Sequence, residues 1–176
     1  MKFLKIVFLL CILVGIPINL ITNSSYDAGW TIGEWLVSYQ GGFIRRGLSG
    51  SIIYFITNQF NINPIYFIWI ISLTLYIALF LLVFKYCKSE FPKYLIYSPI
   101  FMGASAIQGT IIRKDNLLLL IFGICIIFIE FKLKEKINKF YTFFFINIIS
   151  IFAILNHESY GFWALPILTI LLSITE

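Results

Sequence analysis

Residues 65–84 read IYFIWIISLTLYIALFLLVF, with no charged side chain in the run. A helix of about 20 apolar residues is long enough to cross the hydrocarbon core of a bilayer. The rest of the chain agrees with that stretch. Its 176 residues are 60% hydrophobic, 19% aromatic and 12% charged, where a soluble domain carries about 25% charged residues. Mean hydropathy is +0.95. A soluble fold of this length must clothe its surface in polar groups, and this composition cannot supply them. Disorder, a collagen-like fibre and an ordinary soluble enzyme are excluded, and most of the surface must face lipid.

Working outward, apolar runs at 1–21, 94–112, 117–131, 140–155 and 161–174 join 65–84 to predict six transmembrane helices. The expected fold is an all-α, polytopic membrane bundle forming a single integral domain over residues 1–176, with a first outer loop at 22–64. Lys2 and Lys5 precede the first run, which no small-x-small cleavage site follows, so it reads as an uncleaved anchor. With the N-terminus cytoplasmic, nine of the ten lysines fall on the cytoplasmic side, as topology rules require. An added crossing at 52–60 would invert every later loop, so 47–60 reads as a short interfacial or re-entrant helix. The net charge of +5 is thereby a topology signal, and nucleic acid is discounted as a partner. Cys11, Cys87 and Cys125 show neither C-x-x-C nor Cys/His ligand spacing. Neither a disulfide framework nor a zinc site is indicated.

The charges left on the outer face carry the chemistry. Arg45, Arg46, Arg113, His157, Asp27, Glu34, Asp115 and Glu158 all fall there, mostly at helix ends. Arginines on that side oppose the topology rule, and a bound anion or an internal ion-pair network would retain them. Over residues 26–39, Asp27, Thr31, Glu34 and Ser38 recur at helical spacing while Ile32, Trp35, Leu36 and Tyr39 form the opposite face. That pattern predicts an amphipathic helix lying along the membrane surface, with its two carboxylates about 10.5 Å apart along the axis. A merely Trp-anchored helix with solvated acids explains the same pattern.

Next comes QGGFIRRGLSG at 40–50. Its glycines permit close backbone approach, so amides and the Arg45 and Arg46 guanidiniums form a candidate phosphate cradle. Pairing of these arginines with Asp27, Glu34 or phospholipid is the alternative. Arg113 and Lys114 add two cations at a second corner, where Asp115 reads as the N-cap of the following helix. His157 and Glu158 occupy a third corner and are placed for proton transfer if desolvated. No Ser/His/Asp triad, H-E-x-x-H, Walker or G-x-G-x-x-G pattern occurs, so no metal and no cofactor is called for.

The order of these features resembles the polytopic glycosyltransferases of the GT-C superfamily. Asn156-His157-Glu158-Ser159 with Pro166 downstream is similar to the H-E-K segment of members using dolichyl-phosphate-glucose. Arg113-Lys114-Asp115-Asn116-Leu117 resembles the K-P-D or R-x-D corner of lipid-linked mannosyl- and arabinosyltransferase-like members, and Asp27 occupies the place of their first-loop acid. The loop Gly42-Phe43-Ile44-Arg45-Arg46-Gly47 also resembles that of Wzy-like polysaccharide polymerases. The resemblance implies transfer of a sugar from a polyprenyl-phosphate-linked donor on the extracytoplasmic face, in envelope polysaccharide or glycan assembly. It implies Asp27, Glu34 and Glu158 as catalytic acids or bases, and Arg45, Arg46, Arg113, Lys114 and His157 as phosphate ligands. The first-loop acids are seven residues apart, wider than the family's usual pair. Family members usually have more spans, which fits a shortened chain or an N-terminal portion. The Ile-, Phe- and Lys-rich composition suits a bacterial cytoplasmic membrane. A transporter or flippase component, or a non-catalytic membrane subunit, is the reading of another class.

Overall fold

A computed structural model describes Val14 and residues 29–44, 46–86, 112–135 and 137–174. Among the described residues the chain is all-helical, with no strand. In chain order the helices are α1 (Gly29–Leu36), α2 (Gly47–Phe60), α3 (Pro64–Tyr86), α4 (Asp115–Leu133), α5 (Lys139–Asn156) and α6 (Ser159–Ile174), with a 3-10 turn at Tyr39–Gly41 between α1 and α2.

Local chemistry sets the helix boundaries. Asn61 closes α2 in the left-handed conformation (φ 53°), and its N–H donates to the carbonyl of Thr57. Pro64 opens α3, where a missing N–H costs nothing, and Asn63 Oδ1 accepts from the Ile65 amide at 2.9 Å. Asn138 caps α5 in the same way, accepting from the Phe140 amide at 2.9 Å. At α4 the sequence expectation shifts by one position. Lys114 is the cap and Asp115 the first helical residue, where its charge still complements the helix dipole.

Three helical stretches are long and apolar enough to cross a membrane: Pro64–Leu82, Asp115–Leu133 and Lys139–Asn156. The run expected at 161–174 falls in α6, a shorter apolar helix that contains Pro166. The runs expected at 1–21 and 94–112 lie outside the described residues, apart from Val14 and Ile112. Burial is inverted relative to a soluble protein. Ile77, Leu81, Phe143, Ile148, Ile151 and Ile170 are exposed, while Ser72, Thr142, Ser150 and Asn156 are buried. Lipid is the solvent that suits such a surface.

Two apolar clusters hold the helices together. Leu118, Ile121, Cys125 and Ile129 form one face of α4 and pack with Ile146 and Ala153 of α5 and Tyr160, Ala164 and Leu168 of α6. Ile32 and Trp35 of α1 pack with Ile53 of α2, Ile65, Ile68 and Trp69 of α3, and Ile112. The second cluster corrects the surface-helix expectation. The first-loop helix is described only over Gly29–Leu36, and its apolar face is buried by protein and so is not free to lie on lipid. Ser38 is extended (φ −134°, ψ 164°), which takes Ser38 and Tyr39 out of the helix. Gly50 explains the close seat of α2 here, since a Cβ on it would stand 1.9 Å from the carbonyl oxygen of Val37.

Helix α2 has 14 residues, a length of about 21 Å that falls short of a full crossing. Its buried residues are Gly47, Ser49, Gly50, Ile53 and Thr57, while Ile52, Phe55 and Phe60 are exposed. The hairpins α4–α5 and α5–α6 separate the charges. Lys132, Lys134 and Lys139 gather at the α4–α5 turn, and Lys114, His157 and Glu158 at the opposite ends of the same helices.

Candidate functional site

The site is assembled where α2 begins, α4 begins and α5 turns into α6. Arg46 precedes α2 in the left-handed conformation (φ 66°, ψ 14°), a strained backbone for a residue other than glycine. Its guanidinium joins two distant segments. Nε and Nη2 donate to Glu158 Oε2 and Oε1, each at 3.0 Å, and Nη1 donates to Glu34 Oε1 at 3.2 Å. The Glu158 contact is bidentate, the geometry that planar guanidinium and carboxylate favour. The side chains of Arg46, Glu34 and Glu158 keep 32%, 19% and 33% of their surface exposed, so the triad is partly open to its surroundings and is not sealed in the core.

Lys114 lies beneath it. Only 1% of the residue is exposed; its Nζ donates to the backbone carbonyl of Arg46 at 3.1 Å and stands 5.7 Å from the centre of the Trp35 ring. Trp35 is itself fixed by a hydrogen bond from its indole N–H to the carbonyl of Ile112. A cation over an aromatic face is an arrangement that holds a desolvated ammonium. Arg113 pairs with Asp115 at 2.6 Å in the same corner, and Asp115 lies near enough to act on Arg46 through its charge.

The electrostatics follow from these contacts. The hydrogen bonds from Arg46 hold the Glu158 carboxyl down at about 2, with its backbone hydrogen bond assisting. In return Glu158, ahead of Glu34 and Asp115, raises the guanidinium above its ordinary value. Burial pushes Lys114 down to about 8, with the nearby Arg46 charge adding to the effect and Glu34 opposing it. His157 Nδ1 receives the Ser159 amide at 3.3 Å and contacts the Ser159 hydroxyl at 2.8 Å. Because the amide can only donate, Nδ1 is an acceptor and the neutral ring carries its hydrogen on Nε2.

Of the residues singled out from sequence, Glu34, Arg46, Lys114 and Glu158 come together, with Arg113 and His157 at the two adjoining corners. Asp27 and Arg45 lie outside the described residues. Trp35, which the spacing places on the apolar face of the first-loop helix, is buried as the platform under Lys114. A Trp at helical spacing reads simply as apolar surface, so no local signal marked that role. Among the described residues no group of three or more His, Cys, Asp or Glu is arranged to hold a metal ion. Arg46, Arg113 and Lys114 are each engaged by protein groups, so an anion approaching the cluster must compete for them.

Protein-family models, curated proteins and solved structures were compared with the chain, and none matches it.

Proposed function

We propose that this chain is a membrane glycosyltransferase-like protein that takes a sugar from a polyprenyl-phosphate-linked donor on the extracytoplasmic face. A bacterial cytoplasmic membrane with the N-terminus inside is the setting proposed with it, and a Wzy-like polymerase acting on the same class of donor is the nearest variant. The observation that carries the reading is the convergence on Arg46 of Glu34, Lys114 and Glu158, from three segments far apart in sequence.

The proposed chemistry uses the unequal grip on Arg46. Glu158 holds it through two bonds and Glu34 through one longer bond, so a donor phosphate displaces Glu34 first. The guanidinium and the Lys114 ammonium then neutralise the phosphate as the bond between the anomeric carbon and its oxygen breaks. The acceptor hydroxyl attacks that carbon and gives its proton to the released Glu34 carboxylate. Glu158 is a poor base while Arg46 holds it near 2, so it acts as the counter-ion that positions Arg46. Asp27, on the same loop, is the second carboxylate proposed for the base. Transfer from a synthetic polyprenyl-phosphate sugar to membrane glycan acceptors tests the proposal. Activity is expected in the wild type and absent in Glu34→Gln and Arg46→Gln, and a wild type that binds no polyprenyl phosphate would overturn it.

A second reading is a non-catalytic subunit whose outer charges only lock the helices together. It draws on one observation, the balance of Arg46, Lys114 and Arg113 against Glu34, Glu158 and Asp115 in the cluster. The same assay separates the two, because a purely structural cluster gives no polyprenyl-phosphate binding.

A further inference from the structure

At the opposite end of the bundle a groove of about 240 Å³ runs between α5 and α6. Its walls are Phe143, Ile146, Leu168 and Leu172, and Lys132 and Lys139 stand at its rim. No acidic side chain is among its lining residues. The polar groups that line it are satisfied within their own helices: Asn147 Nδ2 donates to the Phe143 carbonyl, Thr169 Oγ1 to the Leu165 carbonyl and Ser173 Oγ to the Ile170 carbonyl, each at 2.8 Å. The groove wall is therefore largely apolar, with two cations at its rim.

The geometry points to an anionic glycerophospholipid of the leaflet at the lysine-bearing end, with its phosphate between Lys132 and Lys139 and an acyl chain in the groove. The depth fits. From Lys139 to Asn147 the groove follows α5 for about 12 Å, most of one leaflet's half of a hydrocarbon core roughly 30 Å thick. Tyr141 is exposed beside Lys139, as a residue at headgroup level is. Basic clefts between membrane helices on the lysine-rich side attract acidic headgroups by charge. This site stands apart from the arginine cluster and does not depend on sugar transfer.

The test is native mass spectrometry of the full chain released from nanodiscs containing equal phosphatidylglycerol and phosphatidylcholine. The wild type is expected to retain phosphatidylglycerol over phosphatidylcholine by on the order of tenfold. Lys132→Gln/Lys139→Gln removes that preference, with Lys139→Gln alone, at an exposed position, giving part of the loss. Thr169→Trp, also at an exposed position, fills the groove and lowers retention of both lipids. Equal retention by the wild type, or an unchanged preference in the double variant, overturns the assignment. So does a wild-type dimer that Thr169→Trp converts to monomer, which would give the groove to a second copy of the chain.

Discussion

The ammonium of Lys114 donates to the backbone carbonyl of Arg46 across 68 residues of sequence, so the side chain at the start of α4 fixes the backbone from which the Arg46 guanidinium projects. Lys114→Ala leaves a cavity over Trp35 and an unsatisfied carbonyl, and is expected to cost roughly 2–4 kcal/mol. Lys114→Met leaves the same carbonyl without its donor but keeps the volume and removes the cost of burying a charge, so it should cost less than Lys114→Ala. Thermal unfolding in one detergent distinguishes the two. Both variants are expected to bind polyprenyl phosphate more weakly than the wild type.

The same lysine sets a pH dependence. In the folded chain it titrates at about 8, below the ordinary 10.5. Between those values the unfolded chain holds the proton and the folded chain does not, so stability rises as pH climbs through that window. On the proposed function, phosphate binding is expected to move the other way, falling as Lys114 loses its charge above about pH 8. Donor-lipid affinity measured from neutral to alkaline pH should show the fall in the wild type and lose it in Lys114→Met.

Glu158 gives the acid limb. Its carboxyl lies near 2 against an ordinary 4.5, so its ion pair with Arg46 contributes fully above 4.5 and is lost as pH falls towards 2. A double-mutant cycle of Arg46→Gln and Glu158→Gln should give a coupling on the order of 1 kcal/mol at neutral pH, since both side chains are about one-third exposed. The coupling should shrink when unfolding is followed in acid.

Gly50→Ala is the packing test. The new methyl would meet the Val37 carbonyl at 1.9 Å, so α1 and α2 must separate, with an expected loss of about 1–3 kcal/mol. Trp35 would then lose its seat beside Ile112, and a change in tryptophan fluorescence before global unfolding is the measurement.

The two charged ends also predict opposite sidedness. In a chain whose native cysteines are replaced by serine, Gln40→Cys and Lys134→Cys, both at exposed positions, should react with an impermeant maleimide from opposite faces of sealed vesicles. Labelling of both from one face would reject the membrane arrangement.

Helices α3, α4 and α5 were legible because an uninterrupted apolar run needs only a length to be read. At the corners, the pairing of Arg46 with Glu34 and Glu158 matches the internal ion-pair network that the sequence offered as the alternative to a bound anion. The end of α1 was misread for a tertiary reason. Helical spacing continues to Ser38 and Tyr39, but Gly50 packs against Val37 and the chain leaves the helix there. Trp35 was hidden for a related reason, because its partner Lys114 is brought to it by folding and not by any local pattern.

Position 46 places a charged side chain on a backbone geometry that glycine adopts without penalty. Arg46→Gly therefore deletes the guanidinium while relaxing the main chain, whereas Arg46→Ala deletes it and keeps the strain. The difference in stability between those two proteins reports what the turn costs, less the extra entropy that glycine gives the unfolded chain, and what remains is the side chain's own share in holding three corners of the molecule together.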